Sequence, residues 1–223
     1  MEHFISKRNK VYPLNDAAVC KEYRSMDVLA VERQNLLLLK RSGLCAIPEV
    51  LAEEGNTLTL SRLPGENYAD LLPKLEGDSA LGKAAMEALC HWLFCYYDAS
   101  GGQLRGDVNL RNFLFDGSVC YSVDFEEPLK KGPIERDLGG ILAYLGTYDP
   151  VFTEERILLG AMFLKKALQL GADADGIHKG FCEELYGMVP YRGERFGPIL
   201  QKGLNSFPIM LAKANHHDIG EQA

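Results

Sequence analysis

The sequence predicts an α+β fold in two lobes: a small antiparallel sheet carrying one helix, followed by a mainly helical lobe. Three observations carry this expectation. Before residue 63, short β-like runs surround a single long segment of helical apolar spacing. Pro64-Gly65 then breaks the chain. Beyond it the spacing is helical almost throughout, interrupted by one pair of β-like runs over residues 111–125. The lobe boundary is placed at that break, giving 1–63 and 64–223.

In chain order, VYPL and AAVCKEY flank Asn15-Asp16, a hairpin turn. A helix follows from near Met26 to Arg41, with Val28, Leu29, Val31, Leu36, Leu38 and Leu39 as its apolar positions. Ser42-Gly43 ends it, as Gly commonly ends helices. IPEVLAEEGNTLTLSRL supplies two further runs around Glu53-Glu54-Gly55-Asn56, a second hairpin. Past the break, helices are expected over 67–75 and 79–99, the second stopped by Ser100-Gly101-Gly102. RNFLF and VCYSVDF are short strands joined through Asp116-Gly117. Helical patterns close the chain at about 135–147, 153–170, 174–188 and 194–214.

Composition narrows the class. The 223 residues are 47% hydrophobic and 25% charged, which excludes disordered, collagen-like and disulfide-rich chains. A net charge of −7 lacks the footprint of a general nucleic-acid binder. The acidity is local: residues 1–63 carry +1, 64–150 carry −7 and 151–223 carry −1. Such a middle third is either a solvated acidic face or a site for metal cations or a cationic substrate. The six cysteines form no CxxC pair and sit mostly in apolar segments, so they read as reduced core residues. The first residues lack the apolar core of a signal peptide, and no apolar run reaches the roughly 20 residues that span a bilayer. A cytoplasmic protein without a membrane span is expected; the sequence sets no oligomeric state.

The informative stretch is Arg105-Gly106-Asp107-Val108-Asn109-Leu110-Arg111-Asn112, followed after a hairpin by Val123-Asp124-Phe125-Glu126. An Asp is followed five residues later by an Asn, and the hairpin folds a second Asp back beside the first. Phosphoryl transfer from a metal nucleotide needs such a set. One carboxylate meets the acceptor hydroxyl, while a carboxylate and an amide oxygen hold Mg²⁺ against the phosphates.

The stretch resembles the protein-kinase-like superfamily, nearest its small-molecule phosphotransferases (aminoglycoside, choline and lipopolysaccharide core sugar kinases) and its small Bud/RIO-type kinases. The resemblance spans about residues 10–150. It implies a two-lobe kinase-like fold, with catalytic loop 105–112 and metal motif 124–126. It implies ATP with Mg²⁺ or Mn²⁺ as cofactors, Asp107 as catalytic base, and Asn112 and Asp124 as metal ligands. It also implies a third-strand Lys that grips the phosphates and pairs with a Glu on the next helix. Lys21 and Glu32 stand in that order, eleven residues apart. Leu58 to Gly65 would form the last strand and hinge, with Ser61, Arg62 and Leu63 facing the adenine edge.

The chain departs from the pattern in places. No glycine precedes Gly43, so a glycine-rich phosphate loop is absent, and Ser6-Lys7-Arg8-Asn9-Lys10 would take its place, with Lys7 near the phosphates. Arg105 stands where many relatives have His. Twelve residues separate Asp124 from Asp137, too few to seat a peptide, and no Ala-Pro-Glu follows. Asp137 either braces the catalytic loop through backbone N–H groups or sits at a helix N-terminus. Glu126 could reach a second metal or its water, and Glu127 faces solvent or substrate. His91, Trp92, Tyr96 and Tyr97 read as core or boundary residues, and His216-His217 has no partner spacing. The expected activity is transfer of the γ-phosphate of ATP to a hydroxyl of a small molecule or sugar. The partners are then a nucleotide and a hydroxylated acceptor. An atypical Ser/Thr kinase of the Bud/RIO kind and a nucleotide-binding pseudokinase module are the alternatives.

Overall fold

The computed structural model describes residues 9–216. Four strands form an antiparallel sheet in the order β1-β2-β4-β3: β1 (Lys10–Pro13), β2 (Ala18–Glu22), β3 (Val50–Glu54) and β4 (Thr57–Ser61). Helix α1 (Met26–Ser42) crosses between β2 and β3. It ends on Gly43, whose φ of 66° is the left-handed conformation glycine adopts at least cost. The buried stripe of α1 is Leu29, Glu32, Asn35, Leu36 and Leu39. This corrects the apolar pattern, because Leu38 is exposed and two polar side chains take buried positions in its stead. Those two, Glu32 and Asn35, both bond to the stretch that follows the Phe113–Ser122 hairpin. Leu58 and Leu60 alternate inward from β4 and, with Tyr23 and Ile47, belong to the same buried core as the α1 leucines.

After the sheet, Glu66–Asn67 (β5) pairs with Phe113–Phe115 (β7), which pairs with Cys120–Ser122 (β8). No sequence signal marks β5, a two-residue strand. It pins the linker to the hairpin at Gly65, whose φ is 93° and where an added Cβ would stand 2.5 Å from the Phe115 carbonyl oxygen. Gln103–Leu104 (β6) pairs with Lys130–Lys131 (β9) and closes the segments on either side of that hairpin.

The remainder is helical: α2 (Tyr68–Gly77), α3 (Ser79–Ser100), α4 (Glu135–Thr147), α5 (Glu154–Gln169), α6 (Ala174–Arg192) and α7 (Gly197–Asn215). Asn67 caps α2 and Asp78 caps α3 by accepting N–H groups of the first turn. Buried Arg156 of α5 ties three elements together. It pairs with Glu76 of α2 and donates to the carbonyls of Leu145, Tyr148 and Asp149 around the end of α4. Trp92 of α3 packs on Tyr96, Phe113 and Phe125 and donates to the Ala46 carbonyl (3.0 Å), so α3 reaches both the hairpin and the chain leaving α1. His91 beside it is exposed, not a core or boundary residue, because α3 turns that position to solvent. Among the described residues no helix is long and apolar enough to cross a membrane.

The closest helix contact is between α4 and α6. A Cβ at Gly139 would lie 2.2 Å from the Phe181 backbone nitrogen. Backbone cannot yield as a flexible side chain can, so Gly139→Ala is expected to lower stability by about 3 kcal/mol through overpacking. Urea unfolding of parent and variant checks this; an equal midpoint would contradict the packing described.

Candidate active site

The site is assembled from four separate stretches of chain. The first is the loop after β6. Asp137, in the first turn of α4, accepts the Arg105 N–H at Oδ2 (2.5 Å) and the Gly106 N–H at Oδ1 (3.2 Å). The Tyr97 hydroxyl also donates to it (3.4 Å). The brace expected of Asp137 is thus present in the geometry, and the helix N-terminal position is occupied by the same residue. Burial pushes the Asp137 carboxyl above its ordinary range, against the two N–H groups that favour its charge.

Arg105 is buried, and its Nη2 donates to the carbonyls of Val123 and Asp124, both at 2.7 Å. Its guanidinium lies 4.5 Å from the centre of the Phe125 ring. Arg105 therefore ties the 105–112 loop to the Val123–Glu126 stretch.

Asp107 follows Gly106, whose φ is 80°, and its side chain is exposed. Oδ1 accepts the Asn109 N–H at 3.3 Å. Asn109 in turn accepts the Arg111 N–H (3.0 Å) and the Tyr148 hydroxyl (2.8 Å), which fixes the loop against the end of α4. Asn112 donates from Nδ2 to the Asp107 carbonyl (3.3 Å), and its own carbonyl accepts the Val123 N–H (2.9 Å) and the Ser122 hydroxyl (3.0 Å). Asn112 thus links the Asp107 backbone to the Ser122–Val123 strand end that leads into Asp124.

Asp124 holds a left-handed backbone, φ 65°, which is uncommon for a non-glycine residue. Its neighbours fix it there. The Phe125 N–H donates to Glu32 Oε1 (3.1 Å), and Asn35 Nδ2 donates to the carbonyls of Phe125 (2.9 Å) and Glu127 (3.0 Å). The polar residues on the buried face of α1 therefore clamp the backbone of the Phe125–Glu127 stretch.

Lys21 lies on β2, the second strand of the described residues rather than a third, between Val11 of β1 and Leu58 of β4. Its Nζ meets Glu32 Oε2 at 2.6 Å, Asp124 Oδ1 at 2.7 Å and Glu126 Oε1 at 2.7 Å. Its side chain is only 7% exposed. Burial pulls its pKa down, but Glu32, Asp124 and Glu126 override that and hold it above the ordinary lysine range. Lys21 also holds Asp124 below the ordinary carboxylate range, although burial opposes this. Burial pushes Glu126 up. Three carboxylates thus face one ammonium, with oxygens of Glu32, Asp124 and Glu126 within 4.8 Å of one another.

Several partners of this cluster carried no sequence signal. The Tyr23 hydroxyl donates to Glu32 Oε2 (2.5 Å), and Asn9 donates to Glu126 Oε1 (2.5 Å) while accepting the Arg24 N–H (3.2 Å). Glu126 itself is turned to Lys21. Lys7 lies outside the described residues. At the expected hinge, the Ser61 and Arg62 N–H groups are already given to the carbonyls of Glu49 and Ala17, at 2.9 and 2.8 Å. Leu63 makes no backbone hydrogen bond among the described residues. Of the three hinge candidates, it is the one with a free N–H donor.

No protein-family model matches the chain, and no curated protein matches it in sequence. Solved structures do match it in shape. A streptomycin–ATP–APH(2")-IIa ternary complex superposes with a TM-score of 0.64 at 14% identity, covering 96% of this chain and 92% of the other. A choline/ethanolamine kinase family protein from Mesorhizobium loti gives 0.54 at 12% identity, covering 97% and 88%. A putative fructosamine-3-kinase from Thermobifida fusca YX-ER1 gives 0.51 at 13% identity, covering 93% of each chain. The chain has the α+β fold of protein-kinase-like small-molecule kinases.

Proposed function

We propose that the chain is an ATP-dependent phosphotransferase acting on a hydroxyl of a small molecule or sugar. The observation that carries this is the meeting of Glu32, Asp124 and Glu126, from distant stretches, around the single ammonium of Lys21, with Asn112 bonded to the Asp107 backbone and to the strand that leads into Asp124. That carboxylate excess fits a bound divalent cation, Mg²⁺ or Mn²⁺, with Asn112 and Asp124 as ligands. Lys21, oriented by Glu32, would hold the α/β-phosphates. The boundary between the lobes would fall between Leu63 and Pro64, with the adenine edge meeting the hinge at the Leu63 N–H. When bound, the metal nucleotide supplies the transferable phosphoryl group and a positive charge that offsets the charge developing on it.

The chain's own residues then do three things. Asp107 orients the acceptor hydroxyl and takes its proton; Oδ1 is steadied by the Asn109 N–H, and Oδ2 has no protein hydrogen bond among the described residues. Arg105 and Asp137 keep that loop in register with the metal motif. Glu184 and Tyr144 wall the acceptor side. The Glu184 carboxyl is raised by burial beside Tyr144, with Asp107 also acting on it, and it lies 3.8 Å from where a Cβ would stand at Gly140. Positioning and charge neutralisation supply most of the rate. A small acceptor suits the short segment between Asp124 and α4 better than a peptide does, which weighs against a Bud/RIO-type protein kinase. A nucleotide-binding module without turnover is favoured by one feature, the lack of any glycine before Gly43.

Titration calorimetry with ATP tests the metal site. Mg²⁺ should tighten ATP binding to the parent by about tenfold or more and should not tighten it for Asp124→Asn, which loses a ligand charge. Equal enhancement in both proteins would remove Asp124 from the site.

A further inference from the structure

Helix α1 has a second face, about opposite the one that holds Glu32 and Asn35. Asp27, Ala30, Val31, Gln34, Leu37, Leu38 and Arg41 lie within an arc of about 120° at 100° per residue. Leu37 is 42% and Leu38 is 38% exposed. All residues of this face but Asp27, together with Arg33, Asn35, Pro128 and Leu129, line a groove of about 530 Å³, and nothing among the described residues covers it. Neither Asp27 nor Arg41 makes an ion pair among the described residues, although Lys40 and Arg33 beside them do.

The order of residues along this face is self-complementary. Turned end for end about Gln34, Asp27 falls opposite Arg41, Ala30 opposite Leu38, and Val31 opposite Leu37. Gln34 meets its own copy. Acid thus faces base at both ends, a small side chain faces a large one, and an amide that can both donate and accept sits on the axis. The antiparallel arrangement also sets the negative end of one helix beside the positive end of the other. A parallel arrangement would put Asp27 against Asp27 and Arg41 against Arg41. We infer that this face is a homodimer interface, occupied by α1 of a second copy of this chain packed antiparallel about a two-fold axis through Gln34. Each copy's leucines enter the groove walled by Pro128 and Leu129 of the other.

The interface bears on the active site whichever reaction that site performs, because the inner face of the same helix holds Lys21 through Glu32 and the metal motif through Asn35. One helix pair falls at the small end of specific interfaces, below about 1,200 Å² of total area, so the dimer should dissociate on dilution.

Sedimentation velocity between about 1 and 300 µM tests the proposal. The parent should shift from monomer to dimer over this range. Leu38→Glu should stay monomeric with an unchanged circular dichroism spectrum. Arg41→Glu alone should weaken association about tenfold, because each dimer contains the contact twice. Asp27→Lys combined with Arg41→Glu should restore parental association, since the swap re-forms both pairs. A parent that is monomeric throughout would overturn the inference and leave the face to another protein. A dimer indifferent to Leu38→Glu would overturn it too, as would a double variant no tighter than the single one.

Discussion

Replacing Lys21 by Met is expected to cost the fold about 3 kcal/mol, besides removing the proposed phosphate anchor. The ammonium is almost fully buried and contacts Glu32, Asp124 and Glu126. Without it, three carboxylates with oxygens within 4.8 Å of one another would have no cation between them. Removing one partner of a buried pair costs about 3–5 kcal/mol, and the 40% exposure of Asp124 places this case at the lower end. Urea unfolding at neutral pH measures the loss. Because the penalty comes from repulsion and unpaired charge, Lys21→Met with Glu126→Gln should be more stable than Lys21→Met alone, a non-additivity of the kind coupled neighbours show. If Lys21→Met unfolds with the parent's midpoint, the buried cluster is wrong.

Asp107→Asn should act the opposite way, on rate and not on stability. The side chain is exposed and accepts one backbone N–H, a bond an amide oxygen also accepts. What is lost is the charge that orients a hydroxyl and receives its proton. The expected fall in kcat is about 100- to 10,000-fold, with ATP affinity little changed because Asn112 and Asp124 are intact. Slow ATP hydrolysis, with water as acceptor, allows the comparison without a known substrate. A variant as active as its parent would refute the role given to Asp107.

What could be read from the sequence followed the reach of its signals. The Asp107–Asn112 loop and the Val123–Glu126 motif are local patterns, and the turn between them at Asp116-Gly117 forces their approach. The helices from Ser79 to Asn215 announced themselves by apolar spacing and by caps such as Asp78 and Gly101. Contacts set only by tertiary approach stayed hidden. Asn35 meets Phe125 and Glu127 across some 90 residues, and Asn9 meets Glu126 across 117. Asn35 was the more accessible of the two, since it lies three residues after Glu32 on one face of a helix. The burial of Lys21 stayed hidden for a related reason. A strand lysine alone reads as an edge residue, and only the sheet order places β2 between β1 and β4.

Phosphoryl transfer itself can be followed with γ-labelled ATP. Parent protein with Mg²⁺ or Mn²⁺ would be mixed with pooled hydroxylated metabolites, amino sugars and sugar precursors, and label would be followed into acceptor and free phosphate. Release or transfer above the protein-free background is expected, dependent on the metal and lost in Asp107→Asn. ATP that binds, while label reaches neither an acceptor nor water with either metal, would contradict it and make the chain a binding module on a kinase-like fold.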